Sequence, residues 1–128
     1  MQVTPEIATI DALFNEVQNE GNLDALAEIV HEDVQVSSIS FDGVYDGLED
    51  YRAHFEMMDA AFDDIEVEYE VLAEGEDAVV VETRFNGIHV GPFMEIEATG
   101  NPVSYPGIAV IELEDGRITS VRSAFDLF

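Results

Sequence analysis

The chain has 128 residues, 47% of them hydrophobic, with 29 acidic side chains against four basic ones, no cysteine and a formal charge of −25. Its length and apolar content suffice for one core in a single domain over residues 1–128. The lack of cysteine excludes a disulfide scaffold, a thiolate zinc site and a cysteine nucleophile. A charge of that size repels phosphates and anionic lipid, so nucleic acid and membrane surfaces are not expected as partners.

The acids are spread between apolar residues rather than gathered in a tail, so the expectation is a folded, soluble domain whose carboxylates repel one another in dilute buffer. Near 1 M salt the Debye length shrinks to about 3 Å and that repulsion is screened. No run approaches the roughly 18 apolar residues of a membrane span, and MQVTPEIATID lacks the basic-then-apolar order of a signal peptide. The expected location is a salty, reducing cytoplasm.

Along the chain, Thr4 and Pro5 read as N-cap and first helical position. Ile7, Ile10, Phe14 and Val17 then recur at helical spacing until Gly21. Asn22 is expected to cap a shorter helix carrying Leu23, Leu26, Ala27 and Val30, with His31 at its end, before VQVSSISF turns strand-like. Asp46-Gly47 opens a third helix with Leu48, Tyr51, Phe55, Met58 and Phe62 on one face. From Ile65 the period changes to two, giving IEVEYEVLAEG, DAVVVETRFNGIHV, VSYPGIAVIELEDG and RITSVRSAFDLF as long antiparallel strands. Asp115-Gly116 is a strong hairpin signal, and Pro106-Gly107 inside a strand predicts a bulge or bend. Three helices before four long strands predict an α+β domain, with the helices on one face of a strongly curved, mainly antiparallel sheet.

The chemistry-bearing residue types narrow the options. The histidines at 31, 54 and 89 have no HxH or HxxxH spacing, so no metal is expected. GxSxG and a glycine-rich phosphate loop are both absent. Arg84, a lone base among apolar neighbours, is expected to pair with a carboxylate.

The acidic composition resembles that of proteins from halophilic archaea. The segment from Asn86 onward resembles the SnoaL-like polyketide cyclase family within the nuclear-transport-factor-like fold. The matching features run in order: Gly87 and His89, Thr99-Gly100, Pro106-Gly107, Glu114-Asp115-Gly116-Arg117-Ile118, and Asp126. The N-terminal half agrees more loosely, through its first helix, Gly21-Asn22, the HEDV segment and Gly47. This resemblance implies a cone of three helices and a bent sheet around a pocket, and a homodimer through the outer sheet face. It also implies that Asp126 corresponds to the general acid/base of an aldol-type cyclisation, with His89 assisting. Arg122 departs from the family's tryptophan and would favour an anionic or strongly polar ligand.

Strand alternation puts Arg122 and Asp126 on one face of the last strand and Val121, Phe125 and Leu127 on the other; either could look inward. Phe14, Met58 and Phe62 are the expected pocket walls, and Tyr105, Asn86 or His89 the expected donors to a developing oxyanion. Three functions compete: cofactor-independent acid/base chemistry on a small carbonyl compound, non-catalytic ligand binding or dimerisation on the same fold, and hydrolysis or dehydration in the same pocket.

Overall fold

The computed structural model describes residues 4–40 and 44–126. Thr4 caps α1 (Pro5–Asp11): its Oγ1 accepts the Ile7 amide at 3.2 Å, and Pro5 occupies a first-turn position that needs no donor. The helix then widens into π-helical turns over Ala12–Asn19, burying Leu13, Phe14 and Val17. Such turns recur at functional sites, where they re-aim side chains. Gly21, at φ 71°, ends the helix in the left-handed region that glycine enters without penalty.

Asn22 makes no side-chain capping bond, contrary to expectation. A 3₁₀ turn (Leu23–Ala25) instead runs straight into α2 (Leu26–Ile29). Strand β1 (Val30–Ser38) follows at once, so His31 lies in a strand rather than at a helix end. The three-residue β2 (Val44–Asp46) pairs antiparallel with β1; it is too short to show any periodicity and was not anticipated. Helix α3 (Leu48–Ala61) ends one residue before Phe62, which opens β3 instead of completing the helix's apolar face.

Strands β3 (Phe62–Glu74), β4 (Ala78–His89), β5 (Pro102–Glu114) and β6 (Arg117–Phe125) complete a six-stranded sheet of order β2-β1-β6-β5-β4-β3. All neighbours are antiparallel except β1 and β6, which pair in parallel and join the two halves of the chain. Asp115 and Gly116, at φ 52° and 77°, form the expected hairpin between β5 and β6. The architecture is three helical segments on a curved mixed sheet, an α+β domain.

The sheet is not bulged at Pro106-Gly107, because the β4–β5 ladder keeps one register from Ala78↔Glu112 to Ile88↔Pro102. Gly107 serves packing: a Cβ there would sit 2.3 Å from Cδ1 of Phe125, so only glycine lets that ring lie across the strand. The irregularities fall elsewhere, at Val30/Gln35 between β1 and β6, at Asp63/Glu66 and Val71/Ala73 between β3 and β4, and at Glu112/Leu113 between β5 and β6.

That last bulge decides what β6 shows to the helices. Leu113 faces Ile118 while Glu112 faces Ser120, so Thr119 is an extra residue that resets the alternation. Ile118 and Val121 are therefore both buried, whereas Arg122 and Asp126 are exposed. The core lies between this inner sheet face, with Val79, Val81, Ile111 and Leu113, and the helices, with Ile10, Leu13, Val17, Leu26, Tyr51 and Phe55. Fully burying each of the larger side chains contributes about 1.5–3 kcal/mol.

Candidate ligand cavity

Between the helices and the inner sheet face lies a cavity of about 120 Å³. The π-helical turns supply Leu13, Phe14 and Gln18; α3 supplies Tyr51, His54, Phe55, Met58 and Asp59. Strand β3 adds Ile65 and Val67, β4 adds Thr83 and Phe85, and β5 adds Tyr105, Ala109 and Ile111. Val36 of β1, Val121, Ser123 and Phe125 of β6, and Phe93 from the segment after β4 complete the wall. That segment is held against the end of α3 by bonds from the Val90 and Gly91 amides to the Ala61 carbonyl. Any side chain on Gly91 would collide with the Ala60 carbonyl, 2.5 Å from where its Cβ would stand.

The wall is mostly apolar and aromatic, with polar groups at a few points, the usual make-up of a small-molecule site. Three of them come from one helix. Tyr51 and Phe55, like Phe55 and Asp59, stand four residues apart on α3 and share a face, with His54 and Met58 beside them. Burial lowers the His54 pKa to about 4, so its imidazole is neutral at physiological pH; Nδ1 lies 3.2 Å from the Tyr45 hydroxyl. Burial pushes the Tyr51 phenol well above its ordinary pKa, so it stays a hydrogen-bond donor. Tyr105 is raised for the same reason. Asp59 is largely exposed, yet the burial it has raises its carboxyl above the ordinary value. Thr83 is 6% exposed, and its Oγ1 has no hydrogen-bond partner among the described residues.

The residues expected from sequence divide into three groups. Phe14, Met58 and Tyr105 line the cavity. Phe14 is stacked on Tyr69 at 4.8 Å, and the Tyr69 hydroxyl donates to Asp11 at 2.6 Å; burial and that bond raise the Tyr69 pKa to about 12. Phe62 and His89 are buried behind the wall. The Phe62 ring packs edge-on against Phe85 and Phe93, and His89 lies 5.5 Å from Phe62, its Nδ1 3.2 Å from Thr99 Oγ1 and its Nε2 without a partner among the described residues.

Asn86, Arg122 and Asp126 lie on the outer face. Asn86 donates to the Glu66 carbonyl, Arg122 pairs with Glu112 at 3.0 Å, and the Asp126 amide bonds to Pro106. Asp126 and His89 are thus not brought together at the cavity, and Arg122 offers it no positive charge. The physical reason is the extra residue in β6, which turns Asp126 and Arg122 outward together. Arg84, expected to meet a carboxylate, donates instead to Ser104 Oγ.

Sequence reasoning passed over His54, Asp59 and Thr83. Thr83 was legible: it is the polar member of the inward-facing alternation Val79, Val81, Thr83, Phe85. His54 and Asp59 border the aromatic stripe of α3, a position that periodicity alone cannot separate from a solvated face. Among the described residues no group of three histidine or carboxylate side chains could hold a metal, and no helix is long and apolar enough to cross a membrane.

A helix-covered, curved sheet around a small apolar cavity defines the class of pocket-bearing α+β domains to which cyclases and isomerases belong. The model of the SnoaL-like polyketide cyclase family matches residues 8–128, and the chain belongs to that family. A crystal structure assigned to the SnoaL-like polyketide cyclases, from Jannaschia sp. CCS1, is 26% identical with a TM-score of 0.86, covering 96% of this chain and 86% of that one. TsrD from Streptomyces laurentii is 25% identical with a TM-score of 0.78, covering 95% and 86%. A Catenulispora acidiphila protein of ketosteroid isomerase-like fold, solved with trimethylamine, shares the fold at 16% identity and a TM-score of 0.74, covering 95% and 85%. None of the curated proteins matches the sequence.

Proposed function

We propose that this protein binds a small carbonyl compound in the cavity and moves a proton on it without a cofactor, as in an isomerisation or an aldol-type cyclisation. The observation that carries the reading is the convergence of a neutral imidazole, a phenol and a carboxylate of raised pKa from α3 on one apolar cavity. Titratable groups that burial shifts from their ordinary values, gathered on one cleft, mark a candidate acid/base site.

The roles follow from those surroundings. Removing a proton next to a carbonyl needs a base and a donor for the oxygen that becomes negative. The Asp59 carboxylate serves as the base, its raised pKa bringing it closer to working pH. With the Tyr45 hydroxyl donating to Nδ1, neutral His54 carries its proton on Nε2 and donates to the carbonyl oxygen, assisted by the Tyr51 phenol. The proton on the substrate carbon passes to Asp59, and returns to another carbon in an isomerisation. In a cyclisation the enolate carbon attacks a second carbonyl, whose oxygen takes the proton.

The test is exchange of α-protons on a single-ring ketone such as acetophenone in D₂O, followed by NMR in high potassium chloride. Exchange above the buffer rate that is lost in Asp59→Asn supports the reading. The second reading, ligand binding without turnover, is favoured by the dominance of apolar wall residues; binding of the ketone with no exchange would establish it.

A homodimer through the outer sheet face belongs to the same proposal. That face carries the exposed Ile108 with Val80 and Val110, and sets Arg84 and Arg122 beside Glu82 and Glu112. Such a patch can meet its own copy with opposite charges facing. Light scattering in molar salt should give twice the monomer mass, and a monomer at every protein concentration would refute it.

A further inference from the structure

Thr83 is a polar residue where its neighbours on the same strand face, Val79, Val81 and Phe85, are apolar. It is buried, lines the cavity, and its hydroxyl has no partner among the described residues. A buried hydroxyl without a partner is costly, and a ligand oxygen in the cavity would relieve that cost.

The charge around the cavity is one-sided. No arginine lines it: Arg52 bonds to Asp24 and Glu56, Arg84 to Ser104, Arg122 to Glu112, and Arg117 is exposed. A surface groove shares Gln18, Asp59 and Ile65 with the cavity and adds Glu20, Asp63 and Asp64. An anion entering there meets carboxylates and no countercharge. The volume of about 120 Å³, somewhat below the roughly 150 Å³ of an apolar cavity that takes up benzene, also sets an upper bound of a single ring.

We infer that the cavity takes an uncharged, single-ring compound whose oxygen is held by the Thr83 hydroxyl, and rejects the matching carboxylate. This rests on the proposed binding of a carbonyl compound and names its class. It also reverses the expectation of an anionic ligand, which required Arg122 to face inward.

Affinity for two probes of similar shape, acetophenone and benzoate, tests it by NMR titration of the full chain, Thr83→Val and Thr83→Ser. Wild type should bind acetophenone and bind benzoate at least about tenfold more weakly, the gap narrowing as salt rises toward about 1 M. Thr83→Val keeps the shape and removes the hydroxyl, and should weaken acetophenone roughly fivefold, with Thr83→Ser restoring most of it. A melting curve for each variant separates lost binding from lost folding.

Benzoate binding as tightly as acetophenone, a Thr83→Val affinity equal to wild type, or no binding of either probe would overturn the inference. Affinity is read without turnover, so the two proposals fail separately. Thr83-dependent binding with no proton exchange removes the acid/base reading and leaves this one. Exchange that ignores Thr83 does the reverse.

Discussion

The inner face of the sheet presents Val79, Val81, Thr83 and Phe85 from β4 to the helices, while the outer face of the same strand presents Glu82, Arg84 and Asn86. On β6 the same division sets Val121, Ser123 and Phe125 against Arg122 and Asp126. The inner face is apolar with isolated polar atoms, and there a hydroxyl, an imidazole or a phenol is desolvated enough to acquire an unusual pKa or an unmet hydrogen bond. The outer face is solvated, and its charges meet water and one another. A carboxylate's chemical potential in this protein is therefore set by which face it occupies, and for β6 its register against β5 makes that choice.

The largest expected effect tests this directly. Inserting one residue between Ser120 and Val121 slips the rest of β6 by one position against β5, so Arg122 and Asp126 turn toward the core while Val121 and Phe125 turn out. Burying unpaired charges costs several kcal/mol each, a large fraction of a typical domain's stability. The insertion variant should show no cooperative melt by circular dichroism, whereas deletion of Thr119, which keeps Ser120 opposite Glu112 and every later residue on its own face, should still melt cooperatively; a wild-type melt of the insertion variant would mean that the register of β6 does not decide which side chains are buried.

Core truncation sharpens the contrast at somewhat smaller cost. Ile111→Ala, at a fully buried inner position, should lose about 2–5 kcal/mol, while Ile108→Ala, 44% exposed on the outer face, should lose well under that in denaturant titrations of the monomer. Equal losses would deny the division between faces.

Salt acts on the whole surface. Among the described residues Arg52 pairs with Asp24 and Glu56, and Arg122 with Glu112, leaving most of the 29 acids without a basic partner. Stability should rise from dilute buffer to molar potassium chloride as repulsion is screened. An unchanged melting temperature would contradict it.

The smallest effect belongs to His54. Its folded pKa, about 4, lies below the ordinary 6.5, so the unfolded chain binds the proton more readily between those values. Its neutral burial is therefore fully tolerated above pH 6.5, and stability falls as pH drops from there toward about 4. His54→Gln should flatten that part of the stability profile relative to wild type. Asp59 has the opposite sign: its raised pKa costs stability as pH rises through it, so Asp59→Asn should melt slightly higher than wild type at neutral pH.

Much of the fold was legible because periodicity reports local burial. The Thr4-Pro5 helix start, the third amphipathic helix, the four long strands and the Asp115-Gly116 hairpin each carry their signal within a few residues. Features that depend on distant partners were not legible. The parallel pairing of β1 with β6 depends on segments at opposite ends of the chain, and the Thr119 bulge is visible only against β5. The candidate site suffered from that second gap. Family position pointed to Asp126, but the register of one strand set it outside, while His54 and Asp59 gained their surroundings from strands far along the chain.

The measurement that bears most directly on the central claim compares α-proton exchange of acetophenone by Asp59→Asn and Asp126→Asn under identical salt. With the cavity-lining carboxylate as base, Asp59→Asn should lose about a hundredfold or more while Asp126→Asn stays within about twofold of wild type. If Asp126→Asn loses the activity and Asp59→Asn retains it, the chemistry belongs to the outer carboxylate and the account of the cavity is wrong.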